Sequence, residues 1–129
     1  MNGYLLDTNV ALISPEDPAR LSRAIQSAVL SGPNYISVAP YWVVMLKSMK
    51  GSLLVGDPRM WWRDVLDELA AAPLLLRPDH VATVYSLTPI HKYPFDRILI
   101  AQVITDSLTL VTTDTQISRY ATPSLQILS

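Results

Sequence analysis

Short apolar runs alternate with longer amphipathic stretches along this chain. Tyr4-Leu5-Leu6 stops at Asp7-Thr8-Asn9, and Val10-Ala11-Leu12-Ile13 then resumes. This pattern predicts a buried strand, a polar turn and a short helix closed by Ser14-Pro15 and Asp17-Pro18. Leu21, Ala24, Ile25, Ala28 and Val29 recur at helical spacing as far as Ser31-Gly32-Pro33, a stop signal. Tyr35 to Val38 reads as a brief strand, and Pro40 to Lys50 as a helix opened by Pro and closed by Gly51. Asp57-Pro58 has the form of an N-cap followed by Pro at the first helical position, which predicts a helix through Ala72. Leu74-Leu75-Leu76, bounded by Pro73 and Pro78, predicts a short strand. Asp79 to Ser86 predicts another helix. Pro94-Phe95-Asp96-Arg97 opens one more, with Ile98, Ala101, Gln102 and Thr105 on its face. Leu108 to Thr112 is the clearest β segment, rich in β-branched residues. Asp114, a short helix to Tyr120 and a last strand at Leu125 to Leu128 follow.

Strands alternating with helices predict an α/β domain with a mostly parallel sheet of four to five strands flanked by helices. The length of 129 residues predicts one domain over 1–129, and ten prolines mark element ends rather than a linker. Half the residues are hydrophobic and 16% are charged, which excludes a disordered chain. No apolar run reaches the roughly 18 residues that span a bilayer, so no membrane partner is expected. The start of the chain has an early Asp7 and no leading Lys or Arg, unlike a secretory signal. The absence of cysteine excludes a disulfide scaffold and a thiolate metal site, and it fits a cytoplasmic protein.

Charge narrows the chemistry. The formal net charge is −1, whereas proteins that hold duplex nucleic acid by phosphate neutralisation are usually basic. Any nucleic-acid contact is therefore expected to be local. Nine of the eleven acidic residues are Asp, which favours helix starts and metal sites over helix interiors. Asp7 and Asp114 each follow a predicted strand and precede a helix, and Asp96 lies in a first helical turn. In a parallel sheet such junctions share one edge, where ligands of open α/β folds bind. Carboxylates converging there call for a hard cation such as Mg²⁺ or Mn²⁺. Taken singly, each Asp is equally explained as a helix cap or a partner of the helix dipole, worth about 1 kcal/mol.

Other carboxylate chemistries fit less well. A phosphatase of the haloacid-dehalogenase kind needs a second Asp two residues after the first, where this chain has Asn9. A receiver domain needs a paired acid and a late lysine, and the last lysine here is Lys92. No phosphate-binding glycine loop, serine elbow or cysteine nucleophile is present. His80 and His91 lack ligand spacing and are expected to be surface or capping residues.

Four segments in order carry a resemblance: YLLDTNV at 4–10, ISVAPYWVVMLKSMKGSL at 36–53, HKYPFDRILIAQ at 91–102 and LVTTDTQISRY at 110–120. Over nearly its whole length the chain resembles a PIN-domain ribonuclease of the VapC kind, the toxin of type II toxin–antitoxin pairs. The resemblance implies a PIN-like three-layer α/β fold and a metal-dependent endoribonuclease. Its Mg²⁺ or Mn²⁺ would be held by Asp7, Asp96 and Asp114, which would be the catalytic residues. The family's helix places a Glu directly after the Trp, but here Trp42 is followed by Val43, and Tyr93 stands where another Asp is frequent. These departures open an alternative: a catalytically weakened domain that binds RNA or an antitoxin. Thr8, Asn9, Thr112 and Thr113 are candidates to hydrogen-bond the carboxylates, and Lys47 and Arg97 are candidate phosphate contacts. Solvated helix side chains explain the latter two as readily.

Trp42, Trp61, Trp62, Met45, Met49 and Met60 enrich the middle helices in large apolar groups. Adjacent Trp61 and Trp62 cannot share one helix face, which predicts that one is exposed as a partner surface. The resemblance implies a cognate antitoxin whose tail lies in such a groove, and a homodimer.

Overall fold

The computed structural model describes residues 3–87, 94–118 and 125–129. Its elements in chain order are strand β1 (Tyr4–Leu6), helix α1 (Thr8–Glu16), a 3₁₀ turn (Pro18–Arg20), α2 (Arg23–Ser31), β2 (Asn34–Ser37), α3 (Val38–Met49) and α4 (Pro58–Glu68). There follow β3 (Ala71–Leu74), α5 (Pro78–Tyr85), α6 (Pro94–Asp106), β4 (Thr109–Val111), α7 (Thr115–Ser118) and β5 (Gln126–Leu128). The strands form one five-stranded sheet in the order β3-β2-β1-β4-β5, and all four pairings are parallel. This is the expected α/β class.

Side chains alternate across the strands and so divide the core in two. Leu5 and Leu110 face α6 and α7, packing with Leu99, Ile100, Val103 and Ile117. Leu6, Ile36 and Val111 face the other way, onto Val10, Ala11, Ile25 and Val65 of α1, α2 and α4. Burial of a side chain of this size stabilises by about 1.5–3 kcal/mol each. The three layers therefore follow from short strands that are apolar on both faces.

Several boundaries differ from the sequence expectation, each for a local reason. The helix expected to close at Ser14-Pro15 runs on through Pro15 to Glu16. The helix expected from Pro40 begins at Val38, because the Ser37 hydroxyl accepts the Ala39 N–H at 3.0 Å and caps it two residues earlier. Helix α4 ends at Glu68 rather than Ala72, and the chain turns at Ala70 with φ 47°. Residues 71–74 then pair with 34–37, so the strand expected at 74–76 lies three residues earlier and contains Pro73. Proline is tolerated there because β3 is an edge strand. Residues 119–120, where the last helix was expected to end, and His91, Lys92 and Tyr93 lie outside the described residues.

The two adjacent tryptophans do not divide as expected. Trp61 and Trp62 are both partly buried against the core, and Trp62 stacks on Tyr41 with centroids 4.6 Å apart. The exposed one is Trp42, at 58%.

Candidate functional site

β1 lies at the centre of the sheet, and the chain leaves it towards β2 on one side while β4 passes on to β5 on the other. The C-terminal edge between β1 and β4 is thus the point where strand order reverses, the usual ligand crevice of such sheets. Asp7 and Asp114 flank it. The Asp7 N–H donates to the Val111 carbonyl at 3.0 Å, which holds Asp7 against the end of β4.

Both oxygens of the Asp7 carboxylate are engaged. Oδ1 accepts the Val10 N–H at 2.9 Å and caps α1, and Oδ2 accepts the Thr112 hydroxyl. The same Thr112 oxygen accepts the Asp114 N–H at 3.0 Å, so one fully buried hydroxyl ties the two aspartate segments together. The Thr113 backbone also hydrogen-bonds Asp7. Asp114 Oδ1 in turn accepts the Gln116 N–H at 2.8 Å and the Ile117 N–H at 3.3 Å, starting α7. The capping roles open from the sequence are therefore real for Asp7 and Asp114. They leave the carboxylates at the crevice.

A cavity of about 180 Å³ opens at this point. Asp7, Asp96 and Asp114 line it together with Thr8, Asn9, Val43, Lys47, Phe95 and Leu99. Burial pushes the Asp7 carboxyl above its usual range, and the charge of Asp96 adds to that. Hydrogen bonds from Thr112 and Val10 pull the other way without cancelling it. Asp96 reaches the cavity from the first turn of α6, and Lys47 and the buried Val43 are one turn apart on α3. Arg97 is not among the lining residues. It borders a separate surface pocket with Val81, Val84, Tyr85, Pro94 and Ile98.

Three carboxylates facing one small space are a hard oxygen donor set, the chemistry that suits Mg²⁺ or Mn²⁺. Among the described residues, no group of three or more His, Cys, Asp or Glu is arranged to hold a metal ion. The donors fit the ion in kind, and they share a cavity without closing around one point.

Two features escaped the sequence reading. Phe95, adjacent to Asp96, lines the cavity and meets Trp42 edge to face, with centroids 5.1 Å apart and planes at 86°. A larger groove of about 650 Å³ lies between α1 and α4, with Leu12, Ile13, Leu53, Leu54, Trp61 and Val65 along it and Glu16, Asp17, Arg20, Asp64 and Glu68 also lining it. The acidic pair at 64 and 68, one helical turn apart, was the legible sign of its charge. His80 is not a surface residue but a fully buried cap. Its Nδ1 accepts the Arg77 N–H at 3.0 Å, so its Nε2–H donates to Asp106 at 3.0 Å.

No protein-family model matches the chain, and no curated protein matches it. Solved structures do. A chain of VapBC2 from Rickettsia felis, bound to a DNA fragment from their promoter, superimposes with a TM-score of 0.72 at 14% identity over 99% of this chain and 98% of that one. A chain of DNA-bound VapBC from Salmonella typhimurium gives 0.68 at 16%, covering 99% and 98%. A chain of VapBC-5 from Mycobacterium tuberculosis, a member of the VapBC family of toxin-antitoxin systems, gives 0.62 at 15%, covering 98% and 97%. At these identities the shared property is the fold.

Proposed function

We propose that this PIN-like domain, sharing its fold with chains of VapBC complexes, is a metal-dependent endoribonuclease toxin of the VapC kind. The observation that carries the reading is the convergence of Asp7, Asp96 and Asp114 on one cavity at the strand-order reversal. These three residues would hold Mg²⁺ or Mn²⁺, which when bound supplies activation of water and stabilisation of charge on the phosphate. The chain's own residues do the positioning. Thr112 and the start of α1 fix the rotamer of Asp7. Lys47 offers a cation to an RNA phosphate at the cavity wall, and Val43 makes part of that wall apolar. Hydrolysis then joins a water oxygen to phosphorus as a ribose oxygen leaves with a proton.

Val43 favours a second reading, a weakened domain that binds RNA or an antitoxin without efficient cleavage. It is buried in the cavity wall where the resemblance places a Glu, so the cavity has one acid fewer than that pattern. Mn²⁺-dependent cleavage of a structured RNA by this protein and by Val43→Glu, side by side, separates the readings. Cleavage by both supports the enzyme with three aspartates sufficing. Cleavage by the variant alone supports the scaffold and the weakened reading. If neither cuts, the binding module takes precedence.

The partner expected under either reading is a cognate antitoxin. The groove between α1 and α4 suits it chemically, since apolar residues beside four acids accept an amphipathic segment carrying Lys or Arg. A homodimer and a cytoplasmic location belong to the same proposal. No helix among the described residues is long and apolar enough to cross a membrane.

A further inference from the structure

Apart from the metal it would hold, this cavity offers RNA little ionic attraction. Three carboxylates line it, one lysine opposes them, and the whole chain carries a formal charge of −1. Contacts that do not depend on charge then gain weight in holding the strand beside the cavity. Base stacking is the main such contact for unpaired RNA, because every base has a π face.

An aromatic surface suited to that contact stands at the cavity. Trp42 is 58% exposed, while the other two tryptophans are partly buried. It is held in place by the edge-to-face contact with Phe95, which itself lines the cavity beside Asp96. Its sequence neighbour Val43 forms part of the cavity wall, and Lys47 reaches the same cavity from one turn further along α3. The indole is thus one ring removed from the carboxylates, on the helix that also presents the phosphate-binding cation. The other close aromatic pair among the described residues, Tyr41 and Trp62, is partly buried.

We infer that Trp42, braced by Phe95, is the stacking platform for one unpaired base of the RNA strand whose phosphate enters the cavity. This rests on the RNA-directed function proposed above and names its substrate as single-stranded at that nucleotide. Trp42 is a specificity-determining residue, since duplex RNA keeps its bases stacked on one another and cannot offer one to the indole.

The test is equilibrium binding of a fluorescently labelled single-stranded RNA, in EDTA and again with Ca²⁺, to the wild type, Trp42→Ala and Trp42→Phe. Each RNA position is replaced in turn by an abasic spacer. We expect Trp42→Ala to weaken binding about 5- to 100-fold, the range for loss of one base–aromatic stack, with Trp42→Phe recovering part of it. One abasic position should weaken the wild type by a similar factor and have no further effect on Trp42→Ala. Equal binding by wild type and Trp42→Ala, or equal sensitivity of both to every abasic position, overturns the platform while leaving the RNA function standing. Failure of the wild type to bind any RNA overturns both. Sedimentation of the same proteins covers the remaining case, because a fall in mass on Trp42→Ala would assign the indole to a contact between copies and overturn the inference.

Discussion

Thr112 carries more of the site than its size implies. Its hydroxyl donates to Asp7 and accepts from the Asp114 backbone, and it has no exposure to solvent. Removing it leaves a partly buried N–H without its acceptor and frees one Asp7 oxygen, a change that costs about 1–3 kcal/mol. Thr112→Val should therefore lower the unfolding free energy by that amount in urea titrations and reduce cleavage as Asp7 loses its fixed rotamer, whereas Thr112→Ser should restore both. The three aspartates were legible in the sequence because each sits at a strand-to-helix junction or a helix start. Thr112 and Thr113 were legible only as neighbours of Asp114, since their bonds to Asp7 span more than a hundred residues of chain. Phe95 was hidden among ordinary apolar residues. Arg97 lies apart from Asp96 for a geometric reason: adjacent residues on a helix point about 100° apart, so Asp96 lines the cavity and Arg97 borders another pocket.

At the scale of elements, α5 and α6 are fastened by a charged cluster at the end opposite the carboxylate cavity. Asp106, the last residue of α6, receives the Arg77 guanidinium at 2.7 Å and the His80 Nε2–H at 3.0 Å. Burial pushes the Asp106 carboxyl up, but the hydrogen bonds from Arg77 and His80, with the Arg77 charge, outweigh it and hold it below its usual value. A carboxyl with a depressed folded pKa contributes stability above its unfolded value, near pH 4, and loses it as pH falls through the folded value. The stability difference between wild type and Asp106→Asn should accordingly be constant from about pH 5 to 7 and shrink below about pH 4. Urea titrations at several pH values measure it. The same long-range bonding explains which elements the sequence could show. Strands β1, β2, β4 and β5 were legible from apolar runs, while β3 was displaced. Helix periodicity alone carries α4 on to Ala72, but the Asn34 amide donates to Leu69 O at 3.1 Å and β2 pairs with 71–74. That tertiary pairing overrides local propensity.

Over the whole molecule, α1 links two surfaces of different character. Asp7 caps its N-terminus at the acidic cavity, while Leu12, Ile13, Pro15 and Glu16 further along it line the large groove against α4. The groove repels a polyanion, because Glu16, Asp17, Asp64 and Glu68 there face a single Arg20. Under the proposed function the groove takes a basic peptide, while RNA at the equally acidic cavity depends on the metal held there, on Lys47 and on the Trp42 stack. The acid pair Asp64 and Glu68 is exposed, so replacing it should not disturb the core. The double variant Asp64→Lys, Glu68→Lys should weaken binding of an amphipathic peptide carrying Lys or Arg by about tenfold or more, as opposed charges become like charges across the groove. RNA affinity should stay constant or rise slightly through the four-unit change in net charge. Titration calorimetry of the peptide beside RNA anisotropy reads both. Equal loss of both ligands would show one continuous binding surface and end the division of labour, while loss of the peptide alone assigns the groove to the protein partner and the sheet edge to RNA.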